Sequence, residues 1–143
     1  LPANLLEVEI TEHMFDGRGA GYVFRAIKLL KAQGVRIALD DFGTGYSALA
    51  NIRDYPVDVI KVDRSFVRGL SKGKKGLAVI KALLLLATQL ELDVVAEGIE
   101  DAEQRALLIN EGYHYGQGFL FSAAVPALQI SEYLQSPDTR KLL

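Results

Sequence analysis

Five short apolar runs in this chain each deliver a residue able to do acid, base or metal chemistry. Glu9 and Glu12 close the first run, Asp40 and Asp41 the second, Lys61 and Asp63 the third and Glu97 the fourth, while Gln117 sits in the fifth. Carboxylates brought together repel one another, and bare convergence raises some of their pKa values. A divalent cation relieves that repulsion, and an all-oxygen donor set without Cys or a paired His suits Mg²⁺ or Mn²⁺ better than zinc. Two adjacent aspartates let one carboxylate bridge a pair of ions while its neighbour holds the second. Such a pair, about 3.5–4 Å apart, clamps an in-line displacement at phosphorus. Lys61 would either orient or deprotonate an attacking water, or neutralise charge on the phosphate.

Taken singly, each feature has a plainer reading. Asp-Asp before a glycine turn is commonly a cap or a solvated turn, and "GTG" alone is a tight turn that needs positive φ. Lys61 alone could be a lysine snorkelling from a strand end, and Glu97-Gly98 simple loop polarity. His13 and His114 lack metal-ligand spacing to a partner and read as surface or capping residues. One polar group per strand end, five times over, is the joint signal that favours a site.

The 143 residues suffice for one domain with a core, and no linker or repeat divides them. Charges nearly balance, at a formal −2, so the chain carries no basic surplus of the kind that tracks DNA. Cysteine is absent, which excludes disulfides and thiolate metal sites and fits a reducing compartment. The longest apolar run, "ALLLLA" at 82–87, is too short to span a bilayer.

The elements that must position these residues are strands at Leu5–Ile10, Val35–Leu39, Val57–Val62 and Leu92–Ala96, with a weaker fifth around Tyr113–Phe121. Helical spacing marks "VFRAIKLLKAQG", ending at Gly34 as a C-cap, then Leu77–Leu90, Ala102–Asn110, and a last helix from Pro126 to about Leu134. A short helix is expected between the second and third strands. Strands alternating with helices predict parallel pairing in an α/β fold, either an open doubly wound sheet or part of a (β/α)₈ barrel. In both, the C-terminal strand rim is where sites are built.

"LLEVEITE", "ALDDFGTGYSAL", "VDVIKVDRSFV", "VVAEGIED" and "GYHYGQGFLF" resemble, in order, the signature segments of the EAL domain, the family of bacterial cyclic-di-GMP phosphodiesterases. The resemblance implies a modified (β/α)₈ TIM-like barrel, of which residues 1–143 would be a single partial domain carrying the last five βα units. The opening "LPANLLEVEI", without an initiating methionine, is in line with a fragment. The glutamate of the "EAL" signature and an asparagine on the next strand have no counterpart here.

By the same resemblance, Glu9 and Asp40 would ligate a first Mg²⁺ or Mn²⁺ with those two residues, and Asp40 would bridge to a second ion also held by Asp41 and Glu97. Lys61 would contact the nucleophilic water, supported by Asp63. Glu12 would hold the "DDFGTG" loop, and Glu100 and Gln117 would line the site. The implied reaction is hydrolysis of cyclic di-GMP to pGpG; the alternative is a degenerate module that binds cyclic di-GMP or a protein without cleavage. "SAAVP" at 122–126 departs from the family's Ser-Lys-Pro-Leu-Pro type of ending, at Ala123 and Ala124 near the guanine rim. Implied partners are sensory or GGDEF domains in a longer parent and a second copy, paired through the loop or exposed sheet edges. The implied location is the bacterial cytoplasm, or the cytoplasmic portion of a membrane-anchored parent. The fragment alone is expected to hydrolyse little.

Overall fold

The computed structural model describes residues 2–44 and 52–135. Five strands, β1 (Glu7–Thr11), β2 (Arg36–Phe42), β3 (Val59–Val62), β4 (Asp93–Glu97) and β5 (Tyr115–Gln117), form one parallel sheet in sequential order. Helices α1 (Ala20–Ala32), α2 (Arg64–Gly69), α3 (Lys74–Gln89), α4 (Ala102–Glu111) and α5 (Ala127–Gln135) lie between and after them. No helix among the described residues is long and apolar enough to cross a membrane.

Successive side chains on a strand point to opposite faces. Ile10, Ile37, Leu39, Ile60, Val62, Val94 and Ala96 take the face that joins the buried core. Residues between them, from Glu7, Glu9, Arg36, Ala38 and Asp40 to Val59, Lys61, Asp93, Val95, Glu97, Tyr115 and Gln117, take the other. That second face carries charge at both rims and small apolar groups between. Sequential parallel order with one polar-rimmed face is barrel-wall geometry; among the described residues β1 and β5 remain its two edges.

The helices end by a shared device. After α1, Gly34 N–H donates to Lys31 and Val35 N–H to Leu30, with Gly34 at φ +89°. After α4, Gly112 and Tyr113 do the same to Ile109 and Leu108, which are the paired bonds of a Schellman cap. After α3 the left-handed position is filled by Glu91, at φ +58°, while Leu92 N–H reaches Ala87. Tyr113 then donates its hydroxyl to the Ile80 carbonyl at 2.9 Å, tying the end of α4 to the middle of α3.

At the N-terminal rim, Arg36 bridges Asp93 (2.5 Å) and Glu7 (3.5 Å), and Asp58 accepts from both Lys31 (2.6 Å) and the Ile37 amide (2.9 Å). These pairs lock the register at which Glu7 faces Arg36 and Val59 faces Asp93.

The sequence-based boundaries need adjusting in a consistent way. β1 starts at Glu7 rather than Leu5, and β1, β2 and β4 each run on into the residues expected just beyond the strand. β5 is only three residues long, because Ile99 takes the next backbone bonds: its N–H donates to Gln117 and its carbonyl accepts from Leu120. Helix α2 was not anticipated. Of the short helix expected between β2 and β3, a 3₁₀ turn at Ile52–Asp54 is seen, and residues 45–51 lie outside the described residues.

Glu91 adopts a conformation that an L side chain adopts at a cost and glycine adopts freely. Replacing it, Glu91→Gly, is expected to raise stability by about 0.5–1 kcal/mol in urea unfolding. Unchanged or lower stability would contradict the cap assignment.

Candidate metal and phosphodiester site

The C-terminal rim of the polar face gathers side chains from all five strands. Lys61, at the end of β3, lies at the centre with a side chain only 6% exposed. Its ammonium reaches Glu9 Oε1 on β1 at 2.6 Å, Glu97 Oε1 on β4 at 2.8 Å and Asp40 Oδ1 on β2 at 3.3 Å. Gln117 on β5 completes the row by donating Nε2–H to Glu97 Oε1 at 2.5 Å. Burial alone would push the Lys61 pKa down, but the hydrogen bonds that Lys61 donates to Glu9 and Glu97 and the charges of Glu97 and Asp40 outweigh it and hold the ammonium charged. Glu97 is raised above the usual carboxylate range by burial, with Asp40 and Glu9 adding to the rise and Lys61 opposing it.

Asp40 and Asp41 are adjacent, so a regular strand would send them to opposite faces. The β2–β3 register shifts between Leu39 and Phe42, and Asp41 stands at φ +54°. This bulge changes the direction of one side chain without ending the strand, as bulges near functional sites do. Asp40, Asp41 and Glu97 consequently each bring a carboxylate oxygen within 4.8 Å of the other two, while Phe42 returns to the core. Aspartate tolerates the left-handed region better than most residues, so the candidate ligand Asp41 is also a permissive residue for the bend.

The bend is held from behind. Glu12, buried after β1, accepts the Gly43 amide on Oε1 at 3.1 Å. Gly43 lies at φ +93°, and a Cβ there would press on the Phe66 ring of α2. Thr44 closes the turn through its hydroxyl and amide to the Asp41 carbonyl. Residues 45–51 fall outside the described residues.

Two of the expected site residues have other partners. Asp63 caps α2, accepting Ser65 N–H at 2.9 Å. Burial opposes its ionisation, yet the Ser65 and Arg64 hydrogen bonds and the Arg64 charge hold its pKa below the usual aspartate range. Glu100 pairs with Arg68 of α2 at 2.7 Å, one strand loop away from the Lys61 cluster. Its amide donates to Gln104, whose own amide donates to Asp101, a reciprocal cap on α4. Arg68 was not anticipated: "RSFVRG" is too short to show a helical face, and only the Asp63-x-Ser65 spacing signals the cap.

A bridging hard cation fits the donor set. Three carboxylates converge with no sulfur and no imidazole among them, the oxygen-only chemistry that suits Mg²⁺ or Mn²⁺.

The model of the EAL domain matches residues 1–124. The cyclic di-GMP phosphodiesterase NbdA of Pseudomonas aeruginosa is 37% identical over 138 residues, which covers 95% of this chain and 17% of that protein. The EAL domain of Mycobacterium smegmatis DcpA superposes with a TM-score of 0.87 at 33% identity, covering all of this chain and 62% of that one. Klebsiella pneumoniae BlrP1, solved as a complex with manganese and cyclic di-GMP, superposes at 0.77 with 32% identity, over 86% of this chain and 31% of its own. The chain spans less than a fifth of the length of the curated relatives it matches.

Glu12→Ala removes the acceptor of a part-buried amide and is expected to lower stability by about 1–3 kcal/mol in chemical denaturation, with Glu12→Gln recovering much of the loss. Equal stability of all three proteins would contradict the latch. Asp63 has a lowered folded pKa, so its contribution is complete above the ordinary value of 3.8 and is lost as pH falls through the lower folded value. Asp63→Asn keeps a capping side chain but does not titrate. Acid unfolding of the variant should therefore show a shallower loss of stability below pH 4 than the parent; superimposable acid limbs would contradict it.

Proposed function

From the premise that the chain belongs to the EAL domain family, we propose that it supplies most of a two-metal site that hydrolyses one phosphodiester bond of cyclic di-GMP to give pGpG. The observation that carries this reading is the convergence of Asp40, Asp41 and Glu97 within 4.8 Å, beside a buried lysine at one strand rim. Structurally similar domains have been solved with cyclic di-GMP bound, among them PaMucR and BlrP1.

In this reading Asp40, Asp41 and Glu97 would hold one Mg²⁺ or Mn²⁺, and Glu9 and Asp40 would hold a second. The ions would supply Lewis acidity at the phosphoryl oxygens and a water acidic enough to attack near neutral pH. Lys61 would orient an attacking water and offset the negative charge carried by the phosphoryl oxygens as the bond breaks. Gln117 fixes the rotamer of Glu97, and the Glu12 latch fixes the bend that aims Asp41. Asp63 ends β3 at a fixed point by starting α2, which sets the depth of Lys61 on the rim. Glu100, drawn to Arg68, would line the outer approach.

Residues 1–143 are read as one partial EAL domain within a longer signalling protein. The β1 and β5 edges are where further barrel strands would pair, and a second copy would meet either an edge or the Asp40–Thr44 turn. A bacterial cytoplasmic setting, with sensory or GGDEF domains in the same protein, follows from the same family reading.

Asp41→Asn preserves a side chain that accepts the left-handed backbone but removes one ligand charge. In the complete domain with Mn²⁺, pGpG formation followed chromatographically should fall at least about 100-fold while cyclic di-GMP still binds. Undiminished turnover would refute the ligand assignment. Turnover absent in the parent as well would favour the binding module. The 143-residue chain by itself is expected to produce little pGpG, and robust turnover would contradict a shared first cation site.

A further inference from the structure

Lys61 stands where the two-cation reading puts positive charge. An ammonium has three N–H donors, and three different carboxylates surround this one, at 2.6, 2.8 and 3.3 Å. It donates a hydrogen bond to Glu9, and close ion pairs with Glu97 and Asp40 hold the ammonium among carboxylates. Each of the three acceptors is a residue assigned to a cation, and Asp41 alone of that set stands outside the lysine's ion pairs. The side chain is almost fully buried, so its charge is poorly screened by solvent.

We propose that Lys61 is a built-in counterion that competes with divalent cations for Glu9, Asp40 and Glu97 and gives up those contacts when they bind. This rests on the two-cation reading of the rim. Glu9, Asp40, Asp41 and Glu97 bring four negative charges together, and one ammonium leaves the group strongly negative but no longer bare. The four strand ends can then stay closed without metal. The same ammonium lies on oxygens a cation must take, and two like charges a few ångströms apart repel by an amount that burial increases. Asp41, together with the oxygens of Asp40 and Glu97 that Lys61 does not hold, is the point of first entry. Freed from Glu9 and Glu97, the lysine has donors to offer to water and phosphate, so loading the cations also arms the residue. The lysine keeps its proton throughout; only its partners change.

The test is calorimetric titration of Mn²⁺ into the 143-residue chain and its Lys61→Met variant, with melting curves of each with and without the metal. The variant is expected to bind Mn²⁺ about tenfold more tightly or better. It should also melt lower than the parent without metal and gain more from Mn²⁺. Mn²⁺ binding to the variant alone would be the strongest form of the same result. Equal or weaker binding by a folded variant, with the parent binding Mn²⁺, would overturn the counterion role and leave the cation site standing. Binding by neither protein would overturn both. If the variant is unfolded without metal, circular dichroism reads the linkage instead. Recovery of the fold on adding Mn²⁺ supports the competition, and failure to recover overturns it. Lys61→Arg, which keeps the charge, should retain the weaker affinity of the parent; tightening by that variant would point to side-chain shape and overturn the inference.

Discussion

Like charges at one end of a parallel sheet cannot be left bare, and the organisation of this chain follows from how that repulsion is met. Among the described residues, Lys61 is the one cation paired with Glu9, Asp40 and Glu97, and it is buried there. Its three ion pairs join the C-terminal ends of β1, β2 and β4 to β3, and Gln117 extends the connection to β5. The backbone ladder fixes strand order; the lysine fixes how closely the rim closes. Removing either partner from such a buried pair leaves an uncompensated charge, a change that typically costs about 3–5 kcal/mol.

The two rims of the sheet divide the work between them. At the N-terminal rim, Arg36 and Lys31 meet Glu7, Asp58 and Asp93 in pairs that set register. At the C-terminal rim the acids outnumber the bases, and a bulge brings Asp41 round beside Asp40. That excess is the feature a divalent cation would answer. Placing chemistry at the C-terminal ends and stability at the other is the usual arrangement of a (β/α) barrel. Here Glu12, Gly43 and Phe66 supply the local rigidity, and they do so through a buried carboxylate and a glycine that cannot accept a larger side chain without displacing the ring.

Much of the fold was legible because the strands are nearly continuous apolar runs and the helices end at glycines. Gly34 and Gly112 were readable as stops and both act as caps; Glu91 does the same job without a glycine and gave no signal. The candidate residues Glu9, Asp40, Lys61 and Glu97 were legible as a set because each stands at the close of an apolar run. Their placement inside the last strand pairs was not, since the sequence does not show how far a strand runs once its residues turn polar. Neither the bulge at Asp41 nor the cap at Asp63 has a periodic signature. Lys61 illustrates the limit best. Its position was evident, but its simultaneous contact with three carboxylates depends on parallel register across four strands, which no single segment encodes. Arg68 was missed for a related reason: six residues of helix present no face, and its partner Glu100 lies 32 positions away.

The proposed function requires the bend at Asp40-Asp41 and the end of β4 to hold a divalent cation together. Anomalous diffraction at the manganese edge, from crystals of the chain grown with Mn²⁺, tests it most directly. The expected result is a peak within ligand distance of Asp40, Asp41 and Glu97, with the Lys61 ammonium withdrawn from Glu97. A map with no peak there, and Lys61 still bridging Glu9, Asp40 and Glu97 at saturating Mn²⁺, would contradict it.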